Sequence, residues 1–105
     1  MYNNIKFFQG NSFDALIPVI NVTTGNPVDI SLHTATLTVR KKIKDPEIVL
    51  SKELPIVNQR IQLSLSSEET LLISGTYIYD IVIQLGEDIK TVVQASIKVM
   101  DSVAF

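Results

Sequence analysis

The 105-residue chain has no cysteine, no tryptophan and one histidine, with only four glycines and four prolines. Without cysteine there is no disulfide, no thiolate metal site and no cysteine nucleophile. The lone His33 leaves a histidine-led triad or a histidine metal site without its partners, and a polar loop or strand-edge histidine is the expectation. Gly10, Gly25, Gly75 and Gly86 stand apart, so no glycine-rich loop cradles a phosphate. No Gly-x-Ser-x-Gly elbow presents a serine. Charge is also scarce, at 19% of residues, against about 25% for an ordinary soluble domain. The net charge of −2 lacks the basic surplus that phosphate-binding domains carry. Nucleic acid is therefore excluded as an expected partner, and so is polybasic docking to an anionic membrane. Apolar runs are short, such as Leu71-Leu72-Ile73, far from the ~20 residues of a membrane helix. Met1 to Lys6 hold no basic stretch followed by an apolar one, so no secretory signal is expected. The chain reads as a complete small protein that stays in the cytosol of whatever makes it, or is assembled there.

What is present is β-branched. Ile, Val and Thr number 14, 11 and 8, against 4 Ala. Side chains stiff at χ1 suit a pleated surface, whereas alanine favours helix. Periodicity agrees. In Thr34 to Ile43, Ala35, Leu37, Val39 and Ile43 share one face while Thr34, Thr36, Thr38, Arg40 and Lys42 share the other. Arg60 to Ser66 alternates in the same way. Tyr77, Tyr79, Ile81, Ile83 and Leu85 form one face of a third run, and Val93, Ala95, Ile97 and Val99 one face of a fourth. Period two over such lengths predicts strands with one dry and one wet side. Ile5 to Gln9, Phe13 to Val22 and Glu47 to Leu54 are weaker strands. Pro18 places the second of these at an edge or a bulge. Pro46, Pro55 and Lys52 suit the third to a protected edge.

Turn signals separate these runs at near-regular spacing, among them Gly10-Asn11, Val57-Asn58-Gln59 and Gly86-Glu87-Asp88. Ser66 to Leu72 breaks the pattern: a serine followed by Glu68 and Glu69 predicts one capped helical turn that ends before Gly75. Tyr77, two residues after Gly75, fits the tyrosine corner of an immunoglobulin-like domain, with its hydroxyl bonded to backbone just upstream. The expected fold is all-β: one immunoglobulin-like antiparallel β-sandwich over residues 1–105, with about seven to eight strands and a short helical turn near 67–72.

No group of side chains points to catalysis. Glu68-Glu69 caps the helical turn and Glu87-Asp88 tips a hairpin, so neither supplies convergent carboxylates for acid–base work. Arg40-Lys41-Lys42 with Lys44 is the one basic cluster. Arg40 and Lys42 are candidate contacts for a phosphate or an acidic partner, although the wet end of a strand explains them as well. Asn21-Val22-Thr23 spells a glycosylation acceptor that has no secretory context. The apolar ends are more informative. Phe7 and Phe8, and Val103 and Phe105, either pack on their own domain or dock on a neighbour, and they are the remaining candidate partner contacts.

Several blocks carry a family likeness: Phe8-Gln9-Gly10-Asn11-Ser12-Phe13; Pro27-Val28-Asp29-Ile30 followed by Ala35 to Arg40; Leu63 to Thr70; Gly75-Thr76-Tyr77-Ile78-Tyr79-Asp80-Ile81; and Ile97-Lys98-Val99. In order and spacing the chain resembles the immunoglobulin-like domain at the amino end of phage baseplate upper proteins and of related small tail, fibre and head-decoration proteins. Ser31-Leu32-His33 and Ala95 depart from that pattern, where the family tends to have Thr-Gly and Gly. The resemblance implies a non-enzymatic virion structural protein: a tail or baseplate component, a fibre adaptor or a capsid decoration protein. It would be assembled in the host cytoplasm, in many copies or as a homo-oligomer, and would bind other phage virion proteins without cofactor or metal. A soluble carbohydrate- or receptor-binding sandwich is the alternative reading.

Overall fold

A computed structural model describes residues 4–21, 23–42, 46–71 and 73–101. Eight strands and one helical turn follow in order: β1 (Ile5–Phe8), β2 (Phe13–Pro18), β3 (Thr34–Arg40), β4 (Leu50–Leu54), β5 (Ile56–Val57), β6 (Arg60–Leu65), α1 (Ser67–Leu71), β7 (Gly75–Leu85) and β8 (Asp88–Met100). They form a five-stranded sheet, β1-β8-β7-β3-β4, and a three-stranded sheet, β2-β6-β5. This is the all-β sandwich expected. The order corresponds to the G-F-C-C′ and B-E-D sheets of an immunoglobulin variable-type domain, with β1 laid along the outer side of the last strand.

The alternating faces become the core. Ala35, Leu37 and Val39 of β3 are fully buried, as are Ile61 and Leu63 of β6. Across β7, Leu37 stands opposite Ile81, and Val39 opposite Tyr79. Each large apolar side chain so buried contributes roughly 1.5–3 kcal/mol. The outer face of the five-stranded sheet keeps Thr34, Thr36, Thr38 and Gln94. The ion pair that links β3 to β7 on this face is long, with Arg40 Nη1 3.9 Å from Asp80 Oδ2.

Several details differ from the sequence expectation. The sandwich is not wholly antiparallel, because β1 runs parallel to β8, with Ile5 beside Ile97 and Phe8 beside Met100. The run from Phe13 stops as a strand at Pro18, which lacks the N–H to continue a ladder. Beyond it, among the described residues, lies an isolated bridge between Ile20 and Pro27. As the proline implied, β2 is an edge. β4 is also an edge, beginning at Leu50 rather than Glu47. β8 begins at Asp88, so the hairpin turn is two residues, Gly86 and Glu87. Gly86 has φ 61°, as a turn matched to strand twist requires. Ile43, Lys44 and Leu72 lie outside the described residues.

The pairing of β7 with β8 contains one irregularity. Ile81 pairs with Val93, but Val82 pairs with Thr91, so Val92 is an extra residue and forms a β-bulge. A one-residue insertion reverses the face of every side chain beyond it. Lys90 therefore stands beside buried Ile83, and Ile89 beside exposed Gln84 on the wet face.

Candidate functional site

The two ends of the sandwich are built differently. At the end near α1 the chain is closed by specific polar contacts. The Ser66 N–H donates to Glu69 Oε1 at 2.9 Å, and the Glu69 N–H donates to Ser66 Oγ at 3.1 Å, a reciprocal capping box. Thr70 is fully buried. Its hydroxyl accepts from the Gly10 N–H at 3.0 Å and shares its hydrogen between the Asn11 and Ser67 carbonyls. Gln9 Nε2 donates to the Leu71 and Ile73 carbonyls, which the helical turn leaves open. Tyr77, nearly buried, accepts the Ser74 N–H on its hydroxyl at 3.1 Å, just before Gly75 turns the chain with φ 96°. Gly75 and Tyr77 thus serve architecture here.

Phe7 belongs to this closed end and is not free for a partner. It is 7% exposed, and its ring centroid lies 5.6 Å from that of Phe13. Period two separates it from Phe8, which is 49% exposed on the other face. Of the two alternatives left open for these phenylalanines, Phe7 packs on its own domain and Phe8 stays exposed. Arg40 is half-buried beside Asp80, while Lys42 is exposed. Arg40 and Lys42 line one small hollow with Asp80 on the outer sheet face, and Phe8 lies apart from it on β1, three strands away. Val103 and Phe105 lie outside the described residues.

The opposite end is open. A cleft of about 830 Å³ runs between the end of β2 and the first half of β8. Ile17, Val19 and Val28 form one wall, and Ile83, Val92 and Val93 the other, with Tyr79 at the base. Burial raises the Tyr79 hydroxyl above its ordinary value of 10. His33 and Lys90 are its basic lining residues. His33 Nδ1 is buried and has no hydrogen-bond partner among the described residues. The neighbouring Asp29 accepts the Ser31 N–H at 3.0 Å, and this backbone bond chiefly holds its carboxyl below the usual value. The β2 wall is shaped by a small loop in which Asn21 Oδ1 accepts the Thr23 and Thr24 N–H groups, and the Val28 N–H returns to the Val19 carbonyl.

The cleft is flanked by unused strand edges. β2 pairs only with β6 among the described residues. β1 covers β8 only from Ile97 to Met100, and the Asn4 side chain takes the Ser96 N–H at the limit of that pairing. Along 88–95, no second strand pairs with β8 among the described residues. An apolar trough between two such edges has the chemistry to receive an extended chain, whose backbone pairs with an edge while alternate side chains enter the trough. Among the described residues, no three His, Asp or Glu side chains gather to hold a metal ion. Nor is any described helix long and apolar enough to cross a membrane.

No protein-family model matches the chain, and no curated protein is significantly similar to it. Sequence reasoning did not find the cleft, because it lies between strands far apart in the chain. The one local signal was Pro18, which marks β2 as an edge.

Proposed function

We propose that this chain is a non-enzymatic structural protein of a bacteriophage particle and works through protein–protein contacts. The carrying observation is the apolar cleft of about 830 Å³ bordered by the free edges of β2 and β8. A strand from a neighbouring virion protein fits that chemistry by adding to an edge and seating apolar side chains between the sheets. The wet sheet face supports the same reading. Threonine, serine and glutamine at Thr36, Thr38, Gln94 and Ser96 lose less on desolvation than lysine or glutamate when a neighbour covers them. The phage assignment rests on the sequence blocks from Phe8 to Phe13 and from Gly75 to Ile81. A tail or baseplate component, a fibre adaptor and a capsid decoration protein share these features.

The test is proteomic analysis of purified particles of the phage that encodes the chain, with cross-linking to find its neighbours. The protein is expected in stoichiometric amounts, cross-linked to another virion protein through Lys90 at the cleft mouth. Its absence from particles made in infected cells that contain it overturns the proposal.

A further inference from the structure

The first half of β8 carries a second kind of information. Because the hairpin turn has two residues, Leu85 and Asp88 stand directly opposite. That closing pair exchanges its backbone bonds, and alternation then points the N–H and C=O of Ile89 away from β7. On that side no strand pairs with it among the described residues. Ile89 is also 61% exposed, more than any other large apolar residue described within a strand. The bulge at Val92 put it there, by turning Ile89 to the wet face and Asp88 and Lys90 to the other.

The edge strand β4 points Lys52 inward and is followed by Pro55, devices that block edge-to-edge pairing. The free half of β8 has no proline, and its one core-side lysine, Lys90, is balanced by Asp88 on the same face. It has Asp88, Ile89 and Lys90 in that order, with the two charged side chains 58% and 67% exposed and 3.5 Å apart.

That order is self-complementary. Lay a second β8 antiparallel against the first, with Ile89 opposite Ile89. Each Asp88 then stands across from a Lys90 of the other copy, and each Lys90 across from an Asp88. Directly opposed opposite charges in an antiparallel ladder attract, and like charges repel. Shifting the register by one residue breaks both charge pairs and the isoleucine contact. We propose that the Asp88–Lys90 edge pairs with the same edge of a second copy. A twofold axis passes between the two Ile89 residues, and the two five-stranded sheets join into one. The contact spans a few residues on each strand, below the ~1,200 Å² of a standard interface. The dimer is therefore weak in solution and gains from the high local concentration of an assembly. This inference does not depend on the phage assignment; in the dimer the β8 edge is taken, and a chain that enters the cleft pairs with β2.

Sedimentation equilibrium at high protein concentration tests it through a charge swap. The wild type is expected to show a monomer–dimer equilibrium. Asp88→Lys and Lys90→Asp alone each place like charges across the axis and weaken dimerisation about tenfold or more. The double variant Asp88→Lys/Lys90→Asp restores opposite charges and returns the dissociation constant to within a few-fold of wild type. Both side chains are more than half exposed, and unchanged thermal melts will show that the variants fold. A wild type monomeric throughout its soluble range overturns the proposal. So do single variants that dimerise like wild type, or a double variant that stays as weak as the singles.

Discussion

Lys52 Nζ lies 2.9 Å from Glu69 Oε1 and 3.0 Å from the Ser64 carbonyl oxygen. It thereby ties the edge strand of one sheet to the middle strand and helical turn of the other. The geometry follows from the brevity of β5, which pairs with β6 only at Arg60 and Ile61. Beyond them no strand among the described residues pairs with the side of β6 nearest β4, and the ammonium group occupies that place. Glu69 is thus used twice, as the capping carboxylate for Ser66 and as the counter-ion of Lys52. Replacing Lys52 by Met should cost about 1–2 kcal/mol in denaturant unfolding, since the pair is partly shielded but still wetted.

The same pair sets a pH dependence. Partial burial pushes the Glu69 carboxyl up, but the Ser66 N–H and Lys52 outweigh it and hold the group below its ordinary value of 4.5. A carboxyl depressed in the folded state binds its proton less readily there than in the unfolded chain. Its contribution is complete above about pH 4.5 and is lost as the pH falls through the lowered folded value. The difference in melting temperature between wild type and Glu69→Gln should therefore be largest near neutral pH and shrink in acid. A constant difference across that range would show that the ionised carboxylate is not what stabilises this end.

Tyr77→Phe removes a hydroxyl that accepts a backbone N–H in a partly buried place. The ring still fills its site, so the loss should be that of the hydrogen bond, about 1–2 kcal/mol, with little change in m-value. Far-ultraviolet circular dichroism should be unaltered at low denaturant.

Thr70 gives a sharper contrast. Thr70→Val keeps the volume but leaves the buried Gly10 N–H without its acceptor, at an expected cost of about 2–3 kcal/mol. Thr70→Ser keeps the hydroxyl and loses one methyl group, and should cost about 1 kcal/mol. Equal losses in the two variants would mean that packing, not the hydrogen bond, makes this residue necessary.

The legible parts of the fold are those where chemistry and period coincide within a short stretch. β3, β6 and β7 each bury one face of a sheet, so alternation in Thr34–Arg40 or Arg60–Leu65 is enough to place them. Ser66 and Glu69 sit at capping-box spacing, and Tyr77 follows Gly75 at corner spacing. What was not legible depends on distant neighbours. Ile5 and Phe7 alternate with Lys6 and Phe8, but nothing local tells β1 to run parallel to β8. The bulge at Val92 lies within a Val-Val pair, where either valine could face inward. Simple alternation back from Val93 would put Ile89 on the core side; the inserted residue reverses it. The cleft follows from that reversal and from the end of β2 at Pro18, two features more than seventy residues apart in sequence.

The β5–β6 turn holds a conformational strain that can be relieved. Asn58 and Gln59 both have positive φ, 50° and 60°. A two-residue hairpin loop of this kind matches the twist of its strands, and Asn-Gly is its preferred sequence. Asparagine tolerates the left-handed region, but glutamine has a full Cβ and no short polar arm to offset the clash, at about 1–2 kcal/mol. Glycine removes the clash but loosens the unfolded chain by about 0.4–1 kcal/mol. Gln59→Gly should therefore stabilise the protein by about 0.5–1 kcal/mol, read as a higher denaturant midpoint at constant m-value. Gln59→Val, β-branched in the same place, should destabilise it. If the glycine variant is no more stable than wild type, then Gln59 makes compensating contacts that offset its backbone strain.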